Sequence, residues 1–131
     1  MADNATFLNK LFPKKQPASR REIPPMEEIV EHMQGQELSF FADTVVRVIP
    51  SKDRTKRIIL LQSEHGYFKA IYEEIHVWDE DEWNYFCNDL DRYPAWWEPV
   101  ASSINSNSFF GTEDDIAKAV MDSKEYKTYF V

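Results

Sequence analysis

Three strand-like runs separated by short polar turns constrain this chain more than any other feature. Residues 37–49 alternate Leu38, Phe40, Ala42, Thr44, Val46 and Val48 with Ser39, Asp43 and Arg47, the two-residue period of a half-buried strand. Pro50-Ser51-Lys52-Asp53-Arg54 then supplies a turn, because proline and short hydrogen-bonding side chains favour chain reversal. Arg57-Ile58-Ile59-Leu60-Leu61 is apolar on both faces, as a central strand must be. Glu64-His65-Gly66 turns the chain again, and residues 67–78 make a third, long run. Strands joined by turns this short can only be neighbours running antiparallel, so the sequence predicts a meander.

Helical signals flank this core. Pro25 is a favoured first helical residue. Met26, Ile29, Val30 and Met33 follow on one helical face, with Gly35 as the stop. Asp79 with Glu82 reads as a capping box, and Trp83, Phe86, Cys87 and Leu90 repeat at helical spacing behind it, predicting a helix from about residue 80 to 90. Thr112 with Asp115 starts another capped helix along Ile116, Ala119, Val120 and Ser123. The tail residues Tyr126, Tyr129 and Phe130 are expected to dock on the body. The predicted fold is α+β: a three- or four-stranded antiparallel meander with two to four helices packed mainly on one face.

Two domain-level regions stand out. Residues 1–24 form a basic, proline-rich arm; residues 25–131 form one acidic domain. Residues 1–21 carry five cations (Lys10, Lys14, Lys15, Arg20, Arg21) and one acid (Asp3), whereas the remainder carries ten cations and 22 acids. Phe7, Leu8, Leu11 and Phe12 suggest one short amphipathic helix in the arm, with too little apolar area for stable membrane association. No apolar run follows the first residues and none approaches the length of a membrane span. A single cysteine, Cys87, rules out an internal disulfide. These features predict a cytoplasmic protein.

Several chemistries find no support. With only Gly35, Gly66 and Gly111, the chain lacks the glycine-rich loops that bring backbone close to phosphate. No Gly-x-Ser-x-Gly elbow occurs. Cys87 lies on the apolar helical stripe, where burial raises a thiol's pKa and lowers its reactivity. Glu74 and His76 share a strand face near the acids of residues 79–82, but those acids are better explained as helix-start residues favoured by the macrodipole. Glu73 and Glu74 point to opposite faces of a regular strand and do not flank one substrate. Neither a catalytic set, a metal site nor a cofactor is predicted. A strongly acidic body repels phosphate, so no nucleic acid is predicted as a partner either.

The most unusual stretch is Tyr93-Pro94-Ala95-Trp96-Trp97-Glu98-Pro99, within residues 91–111, which show no period and read as a long loop. Trp and Tyr are favoured interface anchors, and Glu80 and Asp81 lie close in sequence. Tyr93, Trp96, Trp97, Glu98, Glu80 and Asp81 are therefore the candidate partner-binding residues, and a basic protein is the expected partner. The leading expectation is a non-enzymatic binding module, on the analogy of small acidic immunity or antitoxin-type inhibitors. Two alternatives are a small enzyme or small-molecule binder with a pocket between the sheet and residues 91–111, and a docking subunit of a larger assembly.

Overall fold

The computed structural model describes residues 22–36, 38–86, 93–104 and 109–131. The arm residues 1–21, Cys87, Leu90 and the polar residues 105–108 lie outside this set, and so do the expectations placed on them. The elements in chain order are α1 (Met26–Gln34), β1 (Thr44–Pro50), β2 (Lys56–Gln62), β3 (Phe68–Val77), α2 (Glu80–Phe86), β4 (Ala95–Pro99), α3 (Glu113–Met121) and α4 (Lys124–Tyr129). The strands form one antiparallel sheet in the order β1-β2-β3-β4, an α+β meander.

The two predicted turns build the first two hairpins. In the β1–β2 turn, the Asp53 carboxylate accepts from the Thr55 backbone N–H and hydroxyl and from the Ser51 hydroxyl, leaving Arg54 in the left-handed region at φ 63°. In the β2–β3 turn, Gly66 adopts φ 90° and donates its N–H to the Ser63 carbonyl; this backbone conformation is free only for glycine. Between these turns, Ile58, Ile59, Leu60 and Leu61 of β2 are all fully buried, which explains a run with no polar face.

The helices cover the two sides unequally. On one face, Ile58, Leu60 and Tyr72 pack with Ile104 and with Ile116 and Val120 of α3, joined by Tyr126 and Phe130 of the C-terminal segment. The tail is thus docked, and part of it is helical: Ser123 caps α4 by accepting from the Tyr126 N–H. Ser123 therefore begins a new helix, and does not continue the α3 face. On the opposite face, Ile29 and Met33 of α1 pack against Ala95, Ile75, Val77 and Trp97. Pro25 stands one residue before α1, its carbonyl accepting from Glu28 and Ile29.

Two boundaries differ from expectation. The first strand begins at Thr44, and the described residues 38–43 lie outside it, because Phe41 takes φ 27° and Asp43 donates back to the Phe40 carbonyl. That turn ends the apparent alternation before pairing starts, and a bulge between Val45 and Arg47 shifts the register again. Residues 95–99, read as loop, are the edge strand β4. Only five residues long, preceded by Pro94 and ending in Pro99, this segment carries no readable period. Its prolines are tolerated because an edge strand leaves half its amides outside the ladder.

Candidate binding surface

The register of β3 with β4 separates the two adjacent tryptophans. Glu74 pairs with Glu98, Ile75 with Trp97, and His76 with Trp96. Successive side chains on a strand point to opposite faces. Trp96 and Glu98 therefore join Glu74 and His76 on one side, while Tyr93, Ala95 and Trp97 lie on the α1 side.

On the first side, Trp96 remains 36% exposed. Its ring lies 4.5 Å from the His76 ring and 5.7 Å, edge-on, from Trp78. Trp78 in turn lies 6.2 Å from the buried Trp83 of α2. His76 Nδ1 is 3.2 Å from the Glu98 carboxylate, with both side chains about half exposed at 50% and 47%. Trp78 leads directly into Asp79, whose carboxylate accepts from the Asp81 N–H and caps α2. The first turn of that helix is Glu80, Asp81 and Glu82, all exposed. The result is an aromatic patch of His76, Trp78 and Trp96, with Trp83 buried beside Trp78 and the Glu98 carboxylate beside His76.

The other side does structural work. The Trp97 indole N–H donates to the Met33 carbonyl at 3.0 Å, tying β4 to α1. The Arg57 guanidinium lies 4.1 Å over the Trp97 ring and 2.7 Å from the Glu73 carboxylate. Burial pulls the Arg57 pKa down, while the hydrogen bond and charge of Glu73 oppose that. Tyr93 stacks on His32 of α1 with ring centres 3.7 Å apart. Of the six residues singled out from sequence, Trp96 and Glu98 come together on the open face. Glu80 and Asp81 stand exposed at the helix start, and Tyr93 and Trp97 pack against α1.

The open face continues past Glu98 into a cleft that sequence reasoning did not assemble. Tyr72, Glu74, Val100, Ala101, Lys124, Glu125, Thr128 and Tyr129 enclose about 290 Å³. The Tyr72 hydroxyl donates to Glu74 at 2.7 Å, and burial together with that acceptor drives the phenol's pKa far upward. Burial alone would raise the Glu125 pKa, but the Ser103 hydroxyl and N–H, at 2.8 and 2.9 Å, hold it below its ordinary value. The Lys56 ammonium stands 4.5 Å from the centre of the Tyr129 ring. The signal for this cleft was the alternation of Tyr72, Glu74 and His76 along one strand face, together with the aromatic tail.

Among the described residues, no three His, Cys, Asp or Glu side chains are grouped to hold a metal ion, and no helix is long and apolar enough to cross a membrane. No protein-family model matches the chain, and neither the curated proteins nor the solved structures contain a significant match.

Proposed function

We propose that this protein is a non-enzymatic binding module of the cytoplasm that captures a basic protein partner on the face carrying Trp96 and Glu98. Inhibition of that partner, in the manner of an immunity or antitoxin protein, is the form the reading takes. The observation that carries it is the exposed Trp96 set against Trp78 and His76, with Glu98 on the same strand face beside His76. A half-exposed indole held by its neighbours is a pre-organised anchor that loses little side-chain freedom on binding. Glu98 and the acidic body would steer a cationic surface toward it and set orientation. Phosphate-rich partners are disfavoured by the same charge.

The test is affinity capture of the tagged protein from its native lysate at low and high salt, with Trp96→Ala and Glu98→Lys in parallel. The reading predicts a basic protein that is retained at low salt, reduced at high salt, and lost with either substitution. Recovery unaffected by both substitutions would place the partner surface elsewhere. The cleft beside Glu74 favours a second reading, a small-molecule binder, and ligand screening against the wild-type protein addresses it.

A further inference from the structure

We infer that His76 gates the Trp96 surface by pH: neutral, it leaves the Glu98 charge to a basic partner; protonated, it cancels that charge and closes the surface to cations. The inference rests on the binding-module reading. The geometry sets one titratable ring against both parts of the anchor. The His76 ring lies 4.5 Å from the Trp96 ring, and its Nδ1 is 3.2 Å from the Glu98 carboxylate. Strand register builds this arrangement. His76 is the direct cross-strand partner of Trp96, and Glu98 lies two residues further along the same face of β4. The His76 and Glu98 side chains are about half exposed, so both protons and a partner reach them.

Protonation changes this surface in two ways. An imidazolium donates to Glu98 in a charge-assisted bond and offsets the carboxylate's charge. It also sets a cation against the Trp96 indole, whose ring attracts it, so a cationic partner meets a cation already in place. Histidine is the side chain whose ordinary charge change falls between about pH 5 and 8; partner affinity therefore falls as pH drops through that range. The neighbouring charges are otherwise occupied or of another type. On β3, Glu74 stands two residues before His76, accepts from the Tyr72 hydroxyl, and has Lys56 of β2 as a cross-strand partner. Trp78, two residues after, is uncharged. Arg54, in the β1–β2 turn, is paired with Glu31 of α1. Past Trp78, the first turn of α2 carries the exposed acids Glu80, Asp81 and Glu82; carboxylic acids ordinarily titrate near about pH 4, below the histidine range. His32 stacks on Tyr93 on the α1 side and His65 sits in the β2–β3 turn, so His76 is the histidine of this face.

The test uses the full-length, isotope-labelled protein and a hexalysine peptide as cationic probe, at low salt, between about pH 8 and about pH 5.5. Without peptide, the His76 ring signals and the Trp96 indole N–H signal should titrate together, and the Trp96 response should vanish in His76→Gln. With peptide, the wild-type affinity read at the Trp96 indole should fall about tenfold from the higher pH to the lower. His76→Gln, in which His32 and His65 still titrate, should lose that dependence. Glu98→Gln at the higher pH should bind about as weakly as the wild type at the lower one, since both lack the same charge. A Trp96 signal that ignores His76, or a pH dependence that His76→Gln retains, would overturn the gate. Hexalysine that reaches Trp96 with one affinity at both pH values sinks the gate and leaves the binding surface. Hexalysine that never reaches Trp96, with the coupled titration intact, sinks the binding-module reading and leaves the proton coupling of His76 to Trp96.

Discussion

The Arg57 guanidinium carbon stands 4.1 Å from the centre of the Trp97 ring. This contact closes a buried stack on the α1 side of the sheet, with Glu73 paired to Arg57 and Met33 accepting from the Trp97 indole. It makes Trp97 part of what holds β4 in place, and leaves its neighbour Trp96 as the tryptophan of the open face.

Truncating the two tryptophans should separate them by stability. Trp97→Ala removes a half-buried ring, an indole hydrogen bond and the cover over Arg57, and should cost about 3 kcal/mol. Trp96→Ala, on an exposed face, should cost no more than about 1 kcal/mol. Urea unfolding followed by circular dichroism gives both values.

The buried ion pair should behave asymmetrically. The Arg57 and Glu73 side chains are only 10% and 7% exposed. Glu73→Gln leaves the guanidinium without its counter-charge and should destabilise by about 3 kcal/mol. Replacing both, with Arg57→Met and Glu73→Leu, should cost less than the single change, because no charge then stays buried alone. A double-mutant cycle in urea measures the difference.

How much of this was legible beforehand follows from the physics of each signal. The meander could be read because Ile58 to Leu61 are apolar on both faces and the turns beside them are short and polar. The capped starts of α2 and α3 could be read because Asp79 and Thr112 bond to backbone amides two or three residues away. The strand β4 could not, since five residues, preceded by Pro94 and ending in Pro99, hold too few alternations to show a period. With β4 missed, Trp96 and Trp97 looked like two loop anchors, when strand alternation in fact sends them to opposite faces. The cleft depends on β3 meeting α4, a long-range contact that no local spacing encodes.

Acid stability should report on Glu125. Its folded pKa lies below the ordinary value of 4.5 because Ser103 donates twice to it. A depressed carboxylate contributes stability that is present above its unfolded pKa and is lost as pH falls through the folded value. Ser103→Ala should therefore lower the melting temperature near neutral pH and flatten its decline below about pH 4.5. Calorimetry across that range shows whether the two curves converge in acid, as expected.

Filling the small, mostly apolar cavity beneath α3 should stabilise the domain. Ala70, Ile104, Phe110, Ile116, Ala119 and Val120, with Ser103, line a space of about 80 Å³ beneath α3. Ala70 lies on β3, where a branched side chain suits the pleat. Ala70→Val should add about 1 kcal/mol, read as a higher urea midpoint at unchanged slope.

The most direct measurement sets Trp96→Ala and Trp97→Ala side by side for both folding and partner capture at low salt. The account predicts that Trp96→Ala unfolds at nearly the wild-type midpoint yet recovers no basic protein. Trp97→Ala, under conditions where it remains folded, should still recover it. Capture that survives Trp96→Ala, or a Trp96→Ala protein that unfolds as readily as Trp97→Ala, would contradict the assignment of Trp96 to a binding surface.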